Sequence, residues 1–157
     1  MARWFWWIIY WNVIINKITL VDLSAEALEI VKKRLGDKGH IPTYLSQDMM
    51  DSSWVQHYDI WHDRAVFHFL TDAVDRQRYM KNLLSGLTKQ GRAVIGTFSL
   101  EGPNMCSGLD IVQYDAKKMQ VTLVGDLVLD STEAHTHVMS NGTNQEFMYF
   151  ITKHQNS

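Results

Sequence analysis

Residues 18–36 read ITLVDLSAEALEIVKKRLG, and the two halves of this stretch follow different periods. ITLV (18–21) is a β-branched and apolar run, which predicts a short strand ending at Asp22. LeuSer then leads into AEALEIVKKRLG, where Ala27, Leu28, Val31 and Leu35 recur at helical spacing. Ser24 stands where a helix N-cap is needed, Glu26 lies in the first turn, and Gly36 supplies the stop.

The same alternation continues downstream. TYLSQD (43–48) and YDIWHD (58–63) read as strands ending at Asp48 and Asp63. DAVDRQRYMKNLLSGL follows, with Val74, Tyr79, Met80, Leu83, Leu84 and Leu87 on one helix face. LysGlnGly at 89–91 turns the chain into a further strand, RAVIGTFS (92–99). Strand and helix in alternation predict a parallel, doubly wound α/β sheet. The end of the chain differs, because LVLDSTEAHTHV and NQEFMYFITKH flank SerAsnGlyThr with no room for a crossover helix. AsnGly at 141–142 predicts an antiparallel hairpin there. Asn141-Gly142-Thr143 also fits a glycosylation sequon, but the turn accounts for it without a secretory route.

Composition bounds the partners. At 157 residues the chain is sized for one domain, and 46% apolar with 20% charged residues is the make-up of a globule with a packed core. Fifteen Lys plus Arg against 17 Asp plus Glu give a net charge of −2, too balanced for a protein whose main task is gripping nucleic acid. A single cysteine, Cys106, allows no intrachain disulfide and points to a reducing, cytoplasmic setting.

Residues 4–15, WFWWIIYWNVII, break with everything after Lys17 and hold four of the six tryptophans. As a helix they would span only ~18 Å, short of the ~20 residues a bilayer crossing needs, so no stable membrane span is expected. The segment 1–16 reads as atypical and aromatic, either a packed segment or a short anchor, ahead of a body at 17–157.

Taken in order, ITLVDLSAEALEIVKKRL, SQDMM, YDIWHDRAVFHFLT and LLSGLTKQGRAVIGTFSLEGP resemble class I S-adenosylmethionine-dependent methyltransferases. The resemblance runs from about Ile18 to Lys153 and includes the terminal hairpin. WHDRAVFHFLT and GTFSLEGPNMCSGL look like one small subgroup of that family. It implies a single methyltransferase-like domain over 1–157, with a Rossmann-like, mostly parallel sheet and S-adenosylmethionine as cofactor. It also implies a small-molecule or protein methyl acceptor. In the family the acid ending the second strand accepts hydrogen bonds from both ribose hydroxyls, and Asp22 holds that place, with Leu23 beside it. Asp48 matches the acid that takes the adenine amino group, Met49 adds backbone and an apolar contact, and Asp63 ends the next strand at the same edge. The family also places a Gly-rich loop after its first strand. Here the first glycine is Gly36 and only 21 residues precede Asp22, so the resemblance implies an N-terminally incomplete fold. Activity is correspondingly in doubt. The alternative is a non-catalytic methyltransferase-like remnant or binding module.

His62 and Asp63 are the catalytic candidates, since an acceptor hydroxyl needs a base that works near neutral pH. The plainer alternative pairs Asp63 with Arg64 and packs the histidines, His62 and His68, with Phe67 and Phe69. Glu133, His135 and His137 alternate along one strand face, but a strand spreads Glu133 and His137 ~13 Å apart, too far for one ion, and no metal is expected. GPNMCSGL supplies a turn-rich loop after the RAVIGTFS strand that could line an acceptor pocket, and Cys106 has no partner there to activate it. Tyr114-x-x-x-Lys118 imitates the catalytic pair of short-chain dehydrogenases, a second enzyme class that also needs an N-terminal Gly-rich loop.

Overall fold

The computed structural model describes residues 17–51, 57–64, 66–139 and 141–157. The chain divides into two compact units, Met1–Met49 and Met50–Ser157. The aromatic segment 4–15, read above as packed or anchoring, lies outside the described residues.

The first unit is a strand-helix-strand element: β1 (Thr19–Asp22), α1 (Ala25–Leu35), a 3-10 turn at Gly36–Lys38, and β2 (Thr43–Ser46). The helix starts where the Ser24 Oγ accepts the Ala27 N–H at 3.1 Å. It ends at Gly36, whose φ of 53° suits a residue without a Cβ and whose N–H bonds the Lys33 carbonyl. Lys32, Lys33 and Arg34 fill the last turn, where the helix dipole favours cations. β1 and β2 are parallel, with Thr19 opposite Thr43 and Asp22 opposite Ser46. Both strands therefore end at one edge.

The second unit is built on β3 (Tyr58–Arg64), α2 (Ala73–Gly86), β4 (Leu87–Phe98), β7 (Leu127–Val138) and β8 (Asn144–His154). Between β4 and β7 come β5 (Met105–Cys106), β6 (Leu109–Asp110) and α3 (Ala116–Gln120). The four-stranded sheet runs β3-β4-β8-β7, with β3 and β4 parallel and the other two ladders antiparallel. This sheet is mixed, where a mostly parallel one was expected, because the terminal hairpin sets β8 directly against β4. The hairpin itself forms as predicted. Gly142 takes a positive φ, 81°, in its turn, and the Asn141 Oδ1 accepts the Thr143 N–H at 3.0 Å.

β4 begins at Leu87, before the turn expected at 89–91. The turn survives as a bulge: Tyr58 pairs with Leu87 and Ile60 with Arg92, so one β3 residue faces four on β4. A Cβ on Gly91 would lie 2.9 Å from the Thr88 and Tyr58 carbonyl oxygens, which explains the glycine.

Alternation along the strands separates two faces. Trp61 and Asp63 of β3 turn to α2, where both meet Tyr79, and Ala93, Ile95 and Thr97 of β4 share that fully buried side. The other face carries His62, Arg64, Gly96, Phe98, Phe147 and Tyr149. Gly96 has a packing reason there, since an added Cβ would sit 2.6 Å from the Tyr149 ring. Gly96→Ala is expected to cost about 1–3 kcal/mol of stability by overpacking. Urea unfolding measures it, and an unchanged midpoint would mean that Tyr149 can turn aside.

Candidate functional site

At the carboxyl edge of β1 and β2, Asp22 is half-buried and its Oδ1 accepts the Ser24 N–H at 2.8 Å. This local turn fixes the carboxylate between the strand and the helix cap. Its Oδ2 has no hydrogen-bond partner among the described residues. Leu23 stands 72% exposed beside it, and the Ser46 hydroxyl donates to the Leu23 carbonyl at 3.2 Å. The Gln47 N–H bonds the Asp22 carbonyl at 3.1 Å, bringing the end of β2 alongside. Asp48, exposed, and Met49, half-buried, follow at that same edge. Asp22 and Leu23 thus stand at the end of β1, and Asp48 and Met49 just past β2, at one edge of this strand pair.

Asp63 is placed differently. It was expected at the cofactor edge, but it is only 5% exposed and its carboxylate is engaged from three sides. Oδ1 accepts the Val66 N–H and Oδ2 the Phe67 N–H, both at 3.0 Å, while the Tyr79 hydroxyl donates to Oδ2 at 2.6 Å. The Trp61 indole N–H donates in turn to Tyr79 at 3.2 Å. Burial raises the Asp63 pKa to about 6 against the pull of these hydrogen bonds. Burial, helped by the neighbouring Asp63 carboxylate, pushes Tyr79 well above its ordinary value, so the phenol stays protonated. Asp63 therefore ties the end of β3 to the turn that follows it. It does not pair with Arg64, because neighbours on a strand point to opposite faces.

His62 lies exposed on the face away from α2, and the surrounding protein together with Arg64 lowers its pKa. A neutral imidazole of that kind accepts a proton. His68 is fully buried in ring contacts with Phe69 (4.5 Å between centroids) and Phe98 (5.0 Å), and neither ring nitrogen has a hydrogen-bond partner. Burial holds it neutral, with a pKa of about 4.

On β7, Glu133 lies opposite Tyr149, His135 opposite Phe147 and His137 opposite Gln145. The two imidazoles pack over aromatic rings, His135 at 6.2 Å from Tyr149 and His137 at 6.5 Å from Phe147. Cys106 is half-buried and packs on the Phe98, Phe147 and Tyr149 cluster. Tyr114 is 1% exposed with its hydroxyl unpartnered, and burial pushes its pKa up to about 12. That is the wrong direction for a phenol that must give up its proton, and Lys118 lies over the ring, 5.2 Å from its centroid, with its ammonium donating to the Gln113 carbonyl at 2.8 Å and not to the Tyr114 hydroxyl. The residue that sequence reasoning undervalued is Arg64. Its signal was available, since the period of two separates it from Asp63 and sends it to the aromatic face.

No protein-family model matches the chain, and no curated protein matches it in sequence. Solved structures do resemble it. An S-adenosylmethionine-dependent methyltransferase from Clostridium acetobutylicum superposes with a TM-score of 0.66 at 14% identity, over 88% of this chain and 75% of that one. The N-methyltransferase NodS from Bradyrhizobium japonicum, in complex with S-adenosyl-L-homocysteine, gives 0.67 at 12% identity, over 88% and 66%. A pericyclic reaction enzyme gives 0.68 at 13% identity, over 94% of this chain but 38% of that one. Among the described residues no helix is long and apolar enough to cross a membrane. With β1 and β2 parallel, β3 and β4 parallel, and a terminal antiparallel hairpin, the chain has the α/β fold of the S-adenosylmethionine-dependent methyltransferases.

Proposed function

We propose that the chain is an S-adenosylmethionine-dependent methyltransferase acting on a small molecule or a protein side chain, built as one doubly wound domain over 1–157. The observation that carries this reading is the edge of β1 and β2. A half-buried carboxylate is held there by one oxygen and leaves the other without a partner among the described residues, with a second acid, Asp48, at the end of the next strand. That donor-poor, acceptor-rich edge fits the adenosine part of the cofactor. Asp22 accepts from the ribose hydroxyls, Asp48 from the adenine amino group, and Leu23 and Met49 supply apolar contact. When bound, the cofactor supplies a sulfonium methyl to an acceptor aligned with it. His62 takes the acceptor's proton, which its lowered pKa suits, and Asp63 positions His62 indirectly by fixing the end of β3.

Residues 17–35 hold no glycine, so among the described residues no Gly-rich loop reaches the methionine half of the cofactor. This favours the second reading, a binding module of methyltransferase fold without turnover, since the fold alone does not fix the chemistry. Calorimetric titration of the chain and of Asp22→Ala with S-adenosylhomocysteine tests both. Saturable binding lost in the variant supports the cofactor assignment. Binding that ignores Asp22 removes it.

A further inference from the structure

The outer strand of the four-stranded sheet, β7, pairs with β8 on one side and with no described strand on the other. Its two halves are protected differently. The first packs on α3, and the Gln120 side-chain carbonyl accepts the outward Leu129 N–H at 3.3 Å. A bulge at Asp130 follows, with that carboxylate drawn into ion pairs with Arg92 (2.6 Å) and Lys153 (3.0 Å). From Ser131 to Val138 the ladder with β8 is regular and the edge is open, with Ser131, Thr132, Glu133, Ala134, Thr136 and Val138 all exposed. Edge strands that must stay single carry Lys, Pro or a bulge along their length. The stretch STEAHTHV (131–138) holds none of these.

Two hydrogen bonds fix which backbone groups point outward. The Met139 N–H bonds the Thr143 carbonyl at 2.8 Å, so Met139 faces β8, and the Glu146 carbonyl accepts the Ser99 N–H at 3.0 Å, so Glu146 faces away from β7. An antiparallel ladder alternates from there. Thr132, Ala134, Thr136 and Val138 therefore direct their N–H and C=O groups outward, where no described residue receives them. The side chains then select the partner. A second copy of the strand, antiparallel across a two-fold axis at Ala134, sets Glu133 against His135 of that copy on each side of the axis. These are non-hydrogen-bonded positions, where Cβ atoms come within ~4.5–5.5 Å. Thr132 meets Thr136, whose hydroxyl donates to the Glu146 Oε2 at 2.8 Å and keeps its lone pairs for the Thr132 hydroxyl. Neither the Glu133 carboxylate nor the Thr132 hydroxyl has a partner among the described residues. Other registers fit worse. An axis at Glu133 or at His135 sets like on like at its centre, one at Thr136 sets His135 on His137, and one at Thr132 runs the seam into Leu129, which Gln120 already holds.

We propose that the β7 strands of two copies of this chain pair antiparallel about Ala134, joining two four-stranded sheets into one continuous sheet. The seam makes about six backbone hydrogen bonds, with a carboxylate–imidazole pair on each side of the axis. It uses residues of the second unit only and is independent of the proposed function.

Sedimentation velocity of the full chain is expected to show a monomer–dimer equilibrium, half-dimeric at roughly 0.1 mM, as suits a small and polar seam. In amide hydrogen exchange, Thr132, Ala134 and Thr136 are expected to gain protection as concentration rises, while Glu133 and His135, bonded to β8, are protected throughout. Ala134→Pro removes an outward N–H without touching the β8 ladder, and is expected to weaken the dimer about tenfold or more with the monomer still folded. His135→Glu sets carboxylate against carboxylate and is expected to weaken it about tenfold, and adding Glu133→His to that chain is expected to restore the native value. A chain still monomeric at about 1 mM, a dimer as tight in Ala134→Pro, protection that misses these amides, or a swapped chain no tighter than His135→Glu alone would each overturn the proposal. The exchange measurement uses the native chain and decides the matter if the proline variant does not fold.

Discussion

Replacing Asp63 by alanine is expected to destabilise the second unit by about 3 kcal/mol near pH 5. Two backbone N–H groups, of Val66 and Phe67, and the Tyr79 hydroxyl all end on this one carboxyl. Removing it leaves buried donors at roughly 1–3 kcal/mol each, relieved in part where the tyrosine hydroxyl turns or water enters. Urea unfolding followed by tryptophan fluorescence measures the loss, because Trp61 donates to Tyr79 in the same network. A loss under about 1 kcal/mol would mean that the turn after β3 is held by its ring contacts and not by the carboxylate.

The pH dependence separates the hydrogen bonds from the charge. The folded pKa of about 6 lies above the ordinary 3.8, so the native state binds the proton more tightly than the unfolded chain does. Stability from this group is therefore complete below the ordinary value, falls as pH rises from there through about 6, and is level above it. A shift of this size corresponds to about 3 kcal/mol across the window. Asp63→Asn, which cannot ionise, is expected to remove that slope. If native and variant chains show parallel profiles between about pH 4 and pH 7, the buried carboxyl does not titrate as described.

The parts of the fold that were legible in the sequence are those fixed by local chemistry. Ser24 and Gly36 mark the two ends of α1 because a cap and a left-handed stop need particular residue types. Asn141 and Gly142 mark the hairpin for the same reason. Asp22 and Asp48 were found at a strand edge because strand ends follow from where apolar runs stop. What escaped was decided by packing. The motif WHDR shows that neighbouring residues face opposite ways, but which face meets α2 depends on Tyr79, which is 18 residues from Trp61. Without that contact Asp63 looks like a solvent-edge acid and Arg64 its natural partner. The contact of His68 with Phe69 was anticipated, but nothing local reveals that Phe98 lies against the same imidazole, or that β4 starts before its bulge.

These 157 residues by themselves are expected to bind S-adenosylmethionine weakly even where Asp22 and Asp48 hold the adenosine end. A Gly-rich loop lets backbone N–H groups reach the charged methionine part of the cofactor, and this sequence has no glycine before Gly36 to make one. Forgoing two or three hydrogen bonds to a charged group, at about 1.5–3 kcal/mol each, lowers affinity by two or more powers of ten. The same deficit leaves the sulfonium poorly aligned, so turnover suffers beyond affinity. Two altered chains should bracket the native one in calorimetry. Asp22→Ala is expected to abolish the residual binding, because the ribose loses the carboxylate that the Ser24 N–H holds in place. A family-type first strand and loop joined ahead of Ile18 is expected to raise affinity by about a hundredfold or more, since it restores the donors without touching the adenosine edge. Low-micromolar binding by the native chain would show that another segment supplies those donors. A graft that binds no better would show that the edge formed by Asp22 and Asp48 serves some other ligand.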